Sequence, residues 1–314
     1  MKLQQLRYVC EVARRGLSVS AAAEALHTSQ PGISKQIKSL EDELGIEIFV
    51  RHGKRISAIT DPGKAALAIA ERILSESQNL KRAGEEFANE KLGTLTVATT
   101  HTQARYALPK AVTAFKRRYP KVRLVLHQGN PTQICDMVLA GEADFAIATE
   151  SIAQHAELVS LPCYRWNRCV VVPAGHPLLK AKPLTLEAIA GFPVVTYDFA
   201  FAGRSLINKA FEQRGLAPNI VLTALDSDVI KTYVELGLGV GIMAQMGFDP
   251  KRDRGLHALD ASHLFETSTT HLGIKRGAYL RSYAYDFIEL FAPSLTRELV
   301  ERTVMEKEGS RYEL

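Results

Sequence analysis

A short stretch near the N-terminus places five polar side chains on one side of the chain. Hydroxyl, amide and ammonium groups of this kind bond the edges of DNA bases and neutralise phosphates. They are Ser29, Gln30, Ser34, Lys35 and Lys38. Apolar residues recur among them at intervals of four, three and four residues, namely Ile33, Ile37, Leu40 and Leu44. This spacing predicts one amphipathic helix over residues 28–45, with an apolar face that is buried and a polar face that meets a ligand.

Both ends of this helix carry sequence signals. Thr28 or Ser29 caps its N-terminus, and Pro31 fits a first turn, where a missing N–H costs nothing. Gly45 ends it. A shorter helix over Val19–Leu26 precedes it after a tight connection. Two helices in this relation predict a helix-turn-helix whose second helix enters the major groove of DNA. An ordinary amphipathic surface helix has the same spacing and is the alternative.

The next segment predicts a β-hairpin. Ile46–Val50 and Ile56–Ile59 alternate as strands do, and residues 51–55 make a basic turn between them. Beside a recognition helix, such a hairpin is expected to be a wing on the DNA backbone or in the minor groove, and a solvated hairpin is the alternative. The candidate DNA-contacting residues are Ser29, Gln30, Pro31, Ser34, Lys35, Lys38, Arg51, Lys54 and Arg55.

The composition bounds the class of protein. A chain of 314 residues suggests about two domains, and a hydrophobic content of 46% is ample for their cores. The net charge of +5 excludes a polycation, while the local basic patch over residues 28–60 fits DNA better than a membrane surface. No apolar run approaches the roughly 20 residues that cross a bilayer, so we expect a cytoplasmic protein. The cysteines and histidines lack metal-site spacing, so we expect free thiols and no metal or cofactor.

A long helix is predicted over residues 61–89, where Thr60 or Asp61 caps it and Pro62 begins it. Its apolar residues form a heptad-like seam that is interrupted at Glu76, namely Ala66, Ile69, Ile73, Leu80, Ala83 and Phe87. Such a helix has little to bury against in its own chain, so we predict a linker and dimerisation helix. Packing on its own domain is the alternative.

Residues 93–295 change to alternating strands and helices, which predicts an α/β domain with a mainly parallel sheet. Two lobes are expected: lobe I over about 93–162 plus 268–295, and lobe II over about 163–267, with a C-terminal tail over 296–314. The strand over residues 269–275 returns to lobe I. A ligand is expected between the lobes, at the C-terminal ends of strands.

The first strand of this domain ends in a polar run, residues 99–103, that precedes a helix. Hydroxyls and backbone N–H groups at a helix N-terminus make a site for a small anion. Thr149 ends another strand, and Gly203 with Arg204 opens a helix of the second lobe. Together they predict a site for a small, oxygen-rich anion. Threonines that only cap helices are the equally favoured alternative.

Residues 1–60 resemble the winged helix-turn-helix of LysR-type transcriptional regulators. The resemblance rests on many spaced positions: Ala21–Ala23, Thr28–Pro31, Ile33–Ser34, Ile37, Leu40–Glu41, Leu44–Gly45 and Phe49–Arg51. It implies an α/β protein with an N-terminal winged helix-turn-helix, a long linker helix and a two-lobed periplasmic-binding-protein-like effector domain. It also implies a homodimer or homotetramer that binds inverted repeats in double-stranded DNA and contacts RNA polymerase.

The effector domain resembles the CysB branch of that family, the regulators of sulfur assimilation. The matching stretches are Thr99–Pro109, Gln128–Ile134, Ala143–Glu150, Leu161–Arg168, Asp228–Val234 and Arg281–Ile288. The resemblance implies that acetylserine acts as inducer and that sulfide or thiosulfate opposes it. It implies that sulfate is bound by Thr100, Thr102, Gln103, Thr149 and Trp166.

One position departs from the branch pattern. Ala202 stands where the branch usually has a threonine, which removes a hydroxyl worth about 1–3 kcal/mol to a buried anion. The backbone N–H of Ala202 remains a candidate ligand contact. A sister group that regulates sulfonate use and responds to other sulfur metabolites is therefore an alternative.

Two other classes of protein are rivals. A solute-binding protein shares the lobed fold but needs a signal sequence and no DNA-binding unit. An enzyme on this fold needs a nucleophile, a metal set or a cofactor motif. Gly237, Gly239 and Gly241 imitate a dinucleotide fingerprint, but a helix precedes them and a strand follows, which is the reverse of what that motif requires.

Replacing Gln30 by Ala is expected to reduce discrimination between a cognate operator and a scrambled duplex, because a glutamine amide bonds adenine in a bidentate manner worth about 1–3 kcal/mol. Competition titration at one fixed salt concentration measures this, since phosphate contacts make affinity depend on salt. A variant that discriminates as well as the wild type shows that Gln30 does not contact a base.

Overall fold

The computed structural model describes residues 1–53, 55–88, 92–199 and 202–305, with only the backbone at residues 150–151 and 202–203. The chain divides into two compact units, Met1–Gly84 and Glu85–Leu314. Among the described helices, none is long and apolar enough to cross a membrane.

The N-terminal unit packs three helices and a hairpin around one core. Its elements are α1 (Leu3–Arg14), α2 (Val19–Ala25), α3 (Gln30–Leu44), β1 (Phe49–His52) and β2 (Arg55–Ile59). Helix α3 begins where the sequence predicts, because the Ser29 hydroxyl accepts the N–H of Gly32 at 3.3 Å. It ends at Gly45, whose φ of +67° is the left-handed conformation that glycine favours. Three of its apolar residues are buried in the core: Ile33, Ile37 and Leu40.

Two details of this unit differ from the prediction. Leu44 was assigned to the buried face, but it is 42% exposed because the last turn of α3 runs beyond the core. The first hairpin strand begins at Phe49 and not at Ile46. The backbone of Ile48 is engaged elsewhere, since its N–H donates to the Glu41 carboxylate at 2.9 Å and its carbonyl accepts the Thr60 N–H at 3.0 Å.

Helix α4 (Asp61–Ala88) follows the hairpin, and Asn89, its expected last residue, lies outside the described residues. Thr60 is the cap, because its hydroxyl accepts the N–H of Gly63 at 2.9 Å. An added Cβ at Gly63 would lie 2.1 Å from the carbonyl oxygen of Ile48. A close backbone contact therefore fixes the start of α4 against the residue that leads into the wing.

The apolar seam of α4 is only partly covered. Ala66 and Ile73 pack on the N-terminal core. Three other seam residues are exposed, to 48% at Ile69, 76% at Leu80 and 90% at Phe87. An uncovered apolar stripe therefore remains on this helix.

Lobe I of the C-terminal unit is a five-stranded sheet with helices on its faces. Its strands are β3 (Gly93–Thr99), β4 (Val122–Gln128), β5 (Phe145–Ala148), β6 (Leu158–Trp166) and β12 (Ser268–Lys275), in the order β4-β3-β5-β12-β6. Its helices are α5 (Leu108–Arg118), α6 (Pro131–Leu139), α10 (Ser282–Phe291) and α11 (Arg297–Met305). The return of β12 to this sheet agrees with the prediction.

Lobe II is a second five-stranded sheet. Its strands are β7 (Arg168–Pro173), β8 (Val194–Tyr197), β9 (Ile220–Ala224), β10 (Val240–Ala244) and β11 (Leu256–Asp260), in the order β11-β7-β10-β8-β9. Its helices are α7 (Leu186–Ala190), α8 (Ala202–Glu212) and α9 (Ser227–Glu235).

Both sheets are mixed, with four strands in one direction and one strand reversed. In lobe I, β3 pairs in parallel with β4 and β5, whereas β12 pairs antiparallel with β5 and β6. In lobe II, β8 pairs in parallel with β9 and β10, whereas β7 pairs antiparallel with β10 and β11. The reversed strand of each lobe is the first strand after the chain crosses into it, β12 in lobe I and β7 in lobe II. The predicted mainly parallel direction therefore holds for four strands of each sheet, and the reversed strand was not predicted.

Several segments near the expected boundaries also differ. Strand β6 stays in the sheet of lobe I as far as Trp166, beyond the limit expected at residue 162. Helix α11 occupies part of the expected tail, with Val300 and Val304 buried in the core of lobe I, while residues 306–314 lie outside the described residues. Helix α7 and strand β11 were not predicted from the sequence. The domain limits at residues 60 and 93 stay predictions.

Two connections between the lobes are fastened to each other. One is Asn167, between β6 and β7, and the other precedes β12. The guanidinium of fully buried Arg168 donates to the carbonyl of Glu266 and to the hydroxyl of Ser268, both at 2.8 Å. The Thr267 hydroxyl donates to the Asn167 side chain at 2.9 Å. Because these bonds tie the two connections together, the connections form a single hinge between lobe I and lobe II.

The end of α4 is held to lobe I by a buried ion pair. Arg281 Nε donates to Glu86 Oε2 at 3.1 Å, and the N–H of Ser282 donates to Glu86 Oε1 at 3.2 Å. Burial raises the pKa of Glu86, but the bonds from Ser282 and Arg281 outweigh it and lower this pKa. Arg281 also donates to the Glu85 carbonyl at 3.2 Å. These bonds fix the last turn of α4 to lobe I.

Gly63→Ala is expected to lower the free energy of unfolding by about 1–3 kcal/mol, because its methyl group clashes with backbone that cannot move aside freely. Gly84→Ala is the matched control on the same helix, where a Cβ meets nothing within 4 Å. That change is expected to raise the stability by about 0.5–1 kcal/mol through helix propensity. Urea unfolding followed by circular dichroism measures both, and effects of the same sign would contradict the role of Gly63.

Candidate DNA-binding surface and effector site

Helix α3 presents most of the predicted polar face to solvent. Gln30, Pro31, Lys35 and Lys38 are exposed, and Ser34 is half-buried. Lys38 pairs with Asp42 one turn later at 3.1 Å, an exposed contact that contributes little and leaves the ammonium free to exchange partners. Ser29 combines an exposed position with its capping bond to Gly32.

The wing carries the remaining predicted contacts. Arg55 is exposed at the start of β2, and Lys54 lies outside the described residues. Gly53 has a φ of +63°, the left-handed conformation that the tight turn of the hairpin requires. Arg51 is less free than expected, because its guanidinium lies 3.4 Å from the carboxylate of Glu41.

Glu41 connects the recognition helix to the wing and was missed as a positioning residue. Its side chain is 3% exposed and accepts the N–H groups of Ile48 and Phe49 at 2.9 and 3.2 Å, besides its contact with Arg51. Two backbone donors and a guanidinium satisfy a carboxylate that would otherwise be costly to bury. In the sequence, Glu41 entered only as one of the positions that carry the family resemblance.

In the C-terminal unit, the predicted ligand residues begin at the C-terminal end of β3. Thr100 is buried at 7% exposure and Gln103 at 2%. The chain from Gln103 to Ala107 forms a π-helical turn before α5, a distortion that occurs often at functional sites. Thr102 makes no side-chain capping bond there, so the interpretation of Thr102 as a mere cap does not describe this residue.

Gln103 and Trp166 converge on one hydroxyl. Gln103 Nε2 and Trp166 Nε1 each lie 3.1 Å from Thr270 Oγ1 on β12. The Tyr164 hydroxyl donates to Gln103 Oε1, and burial raises the pKa of Tyr164 to about 12, so it stays a donor. Two residues that are far apart in sequence are thus held in one polar cluster. Tyr164 lies in a stretch that carried the resemblance, whereas Thr270 had no signal.

Thr102 contacts the opposite lobe. Its side chain lies near the hydroxyl of Tyr197, the last residue of β8, closely enough to lower the pKa of that tyrosine slightly against the larger effect of burial. That hydroxyl also accepts the N–H of Ala244 at 3.0 Å and lies 2.7 Å from the Ser227 hydroxyl. Burial raises the pKa of Tyr197, which keeps its proton available. A hydroxyl-rich cleft between the lobes follows from these contacts.

Thr149 and Ala202 come from other elements of the two lobes. Thr149 is half-buried at the end of β5 and precedes a short 3₁₀ turn. Ala202 begins α8, and its side chain lies outside the description.

A second set of contacts between the lobes centres on Asp228, near the start of α9. From lobe I, Arg105 Nε lies 2.6 Å from Oδ2 and the Tyr106 hydroxyl donates to Oδ1 at 2.8 Å. His101 Nε2 is 3.5 Å away. Burial raises the pKa of Asp228, but the bond from Tyr106 and the charges of Lys231 and Arg105 outweigh it and lower this pKa. This carboxylate therefore links the two lobes while charged.

Lys231 extends this network into lobe II. Its ammonium lies 3.4 Å from Asp228, 3.0 Å from Asp253 and 2.8 Å from the carbonyl of Gly247. His101, Asp226 and Asp228 place ligand atoms within 4.8 Å of one another, as a metal site would. The cations already paired with Asp228 disfavour a metal ion there.

The four cysteines are free and buried. Burial raises the pKa of Cys10 and Cys135 to about 11, and that of Cys163 and Cys169 to about 12. Because the thiolate is the reactive form, these values favour inert cysteines over a thiol sensor.

The fold and these surfaces define a DNA-binding protein with a ligand-sensing domain, and the chain belongs to the LysR family of transcriptional regulators. Residues 3–64 match the family described as bacterial regulatory helix-turn-helix protein, lysR family. Residues 88–296 match the family described as LysR substrate binding domain. The chain is therefore a transcription regulator, and the enzyme and solute-binding alternatives are wrong.

Individual relatives confirm the branch. The chain is 56% identical over 314 residues to the HTH-type transcriptional regulator CysB of Burkholderia cenocepacia, with 100% of both chains covered. It is 55% identical over 295 residues to the HTH-type transcriptional regulator SsuR of the same organism, covering 94% of this chain and 96% of the relative.

Solved structures agree with the fold. The cofactor-binding domain of the Cbl transcriptional regulator superposes with a TM-score of 0.67 at 47% identity, covering 69% of this chain and 95% of that one. A full-length OxyR variant from Pseudomonas aeruginosa superposes with a TM-score of 0.65 at 24% identity, covering 94% of both chains, and supports the fold alone.

Asp228→Asn is expected to lower the free energy of unfolding of the C-terminal unit by about 1–2 kcal/mol at pH 7, because Arg105 and Lys231 lose a charged partner. Asp136→Asn, an exposed position on α6, is the matched control and should change little. The lowered pKa of Asp228 means that its contribution is complete above the unfolded-chain value of about 3.9 and is lost as the pH falls below it.

Urea unfolding at several pH values tests this expectation. The gap between wild type and Asp228→Asn should stay constant from neutral pH to about pH 5 and shrink toward pH 3. A gap that widens on acidification would contradict the assignment of Asp228 as a charged link between the lobes.

Proposed function

We propose that this regulator controls genes of cysteine biosynthesis and sulfur assimilation in response to a small anionic sulfur metabolite bound between its lobes. An acetylserine-type inducer and a sulfate-like ligand are the effectors. The regulator acts in the cytoplasm as a homodimer or homotetramer on inverted repeats in double-stranded DNA, with RNA polymerase as a further partner. The observation that carries the proposal is the hydroxyl-lined cleft, in which Thr102 of lobe I meets Tyr197 of lobe II.

DNA is read by the exposed face of α3 and by the wing. Gln30 contacts adenine, and Ser34, Lys35 and Lys38 contact phosphates or bases, with Ser29 and Pro31 at the start of the helix. Arg51, Lys54 and Arg55 contact the backbone or the minor groove. The contact between Glu41 and Arg51 supports this assignment indirectly, because it fixes the wing relative to α3.

The effector is held by Thr100, Thr102, Gln103, Thr149 and Trp166, with the backbone N–H of Ala202. Hydroxyl, amide and indole donors without a carboxylate among them suit an oxyanion. Binding favours one arrangement of the lobes, and Arg281 with Glu86 passes the change to α4. Tyr197 belongs with these residues, because its hydroxyl reaches the same cleft from lobe II.

A second copy of the chain covers the exposed seam of α4. Burial of Ile69, Leu80 and Phe87 removes large apolar surface from water, at about 25 cal/mol per Å². A two-fold dimer presents two recognition helices to two half-sites.

The alternative is a regulator of sulfonate or other sulfur-source use, with a different effector. Ala202 favours it, because a hydroxyl that the CysB branch usually supplies is missing. The identities of 56% to CysB and 55% to SsuR are too close to separate the two.

A DNA-binding titration on a sulfur-assimilation promoter fragment tests the proposal, with and without acetylserine at one salt concentration. Binding that changes with acetylserine supports it. Specific binding that ignores acetylserine keeps the regulator but transfers the effector to the sulfonate-type alternative. If the regulator binds the promoter fragment no more tightly than a scrambled duplex, the proposed regulon is wrong.

Thr102→Val is expected to weaken effector binding about tenfold in calorimetry, because a buried anion loses one hydroxyl donor. Thr113→Val, the same change at an exposed position of α5, is the matched control and should bind as the wild type does. Unchanged affinity in Thr102→Val would refute its role. Ala202→Thr restores the usual hydroxyl of the branch and should strengthen binding of acetylserine or sulfate if either is the effector.

A further inference from the structure

A groove on the N-terminal unit lies beside the start of α3 and outside the polar face that the sequence singled out. Its volume is about 510 Å³. Two leucines line it together with the polar residues Gln4, Arg7, Tyr8, His27 and Thr28. It therefore joins the first helix, α1, to the turn between α2 and α3.

The groove is positive and rich in donors. Arg7 is exposed, and no carboxylate among the described residues lies within ion-pair distance of it. No residue lining the groove is acidic. Tyr8 is 7% exposed, and its hydroxyl accepts from Gln4 Nε2 at 2.7 Å, which leaves the phenolic hydrogen to donate. The exposed Thr28 adds a second hydroxyl.

The position of the groove selects its occupant. Thr28 directly precedes Ser29, the cap of α3, so the groove opens next to the helix end that is proposed to enter the major groove. A guanidinium beside two hydroxyl donors can bind a phosphate oxygen. The phosphates of the DNA backbone pass close to any helix end that enters the major groove. Charge complementarity and continuity with α3 both point to the DNA backbone.

We propose that this groove binds a backbone phosphate that flanks the recognised bases, with Arg7 as the principal contact and Tyr8 and Thr28 as supporting donors. The proposal rests on the DNA-binding function assigned above. It makes α1 part of the DNA interface as well as part of the core. A phosphate contact adds affinity without sequence preference, because every sequence presents the same backbone.

The test uses the full chain and fluorescence anisotropy with two duplexes of equal length, one the promoter fragment and one unrelated. Titrations at about 50 to 200 mM salt give the slope of log affinity against log salt. Arg7→Ala should weaken binding roughly fivefold at about 0.15 M salt on both duplexes and reduce the slope by about 0.9, the share of one phosphate. Arg7→Lys keeps the charge and should restore most of the slope.

Arg72→Ala is the matched control, since it removes one exposed cation from α4 of the same unit, away from the groove. It should leave affinity and slope unchanged, and thermal melting confirms that every variant is folded. Unchanged affinity and slope in Arg7→Ala overturn the proposal. Loss on the promoter fragment alone also overturns it, because Arg7 would then contact a base. If the wild type binds both duplexes equally, the proposed regulon fails while the slope still decides the role of Arg7.

Discussion

The effector domain depends on one buried cation. Arg168 lies where the chain first crosses between the lobes, and its guanidinium donates to Glu266 and Ser268, where the chain crosses back. A buried charge is costly unless its donors find acceptors, and both terminal nitrogens of Arg168 find theirs on the returning connection, so this arrangement favours one path for both connections. The sheet of lobe I is assembled from segments on both sides of these crossings, whereas all strands of the lobe II sheet lie between them. Any opening or closing of the lobes can therefore occur by rotation at the two connections beside Arg168, and the hydrogen bonds within each sheet can stay intact.

Two kinds of contact on the far side of that hinge respond differently to an anion. Thr102 and Tyr197 bring two neutral hydroxyl groups near each other, and an anion between them can accept from both. Asp228 pairs with the opposite charge of Arg105 and accepts a hydrogen bond from Tyr106, and these contacts hold the lobes without a ligand. In the proposed mechanism, an effector changes the lobe equilibrium only by the difference between its contacts in the two arrangements. Asp228 sets the equilibrium between the lobe arrangements in the absence of effector. The hydroxyl groups set how far the bound effector shifts that equilibrium.

Local signals gave reliable predictions, and distant contacts did not. The cap at Ser29, the apolar spacing of α3 and Gly45 all act within a few residues, so both ends of the recognition helix were predicted correctly. The one reversed strand of each sheet was not predicted, because strand direction depends on where the chain enters a lobe and not on the pattern within a strand. Glu41 shows the same limit on a smaller scale. Its role follows from backbone donors seven and eight residues away, which no spacing rule for a helix face includes.

Local spacing alone predicted the candidate effector site only along single stretches of chain, and Trp166 came from the family resemblance. Thr100, Thr102 and Gln103 follow one strand, whereas Thr270, which bonds to Gln103, and Tyr197, which lies near Thr102, come from distant strands. This separation also explains why overall identity does not decide the effector. One hydroxyl at position 202 is worth about 1–3 kcal/mol, or roughly 5- to 150-fold in affinity, yet it is a single residue among 314. The identities of 56% to CysB and 55% to SsuR therefore do not decide which anion the cleft selects, because selectivity is set by a few donors.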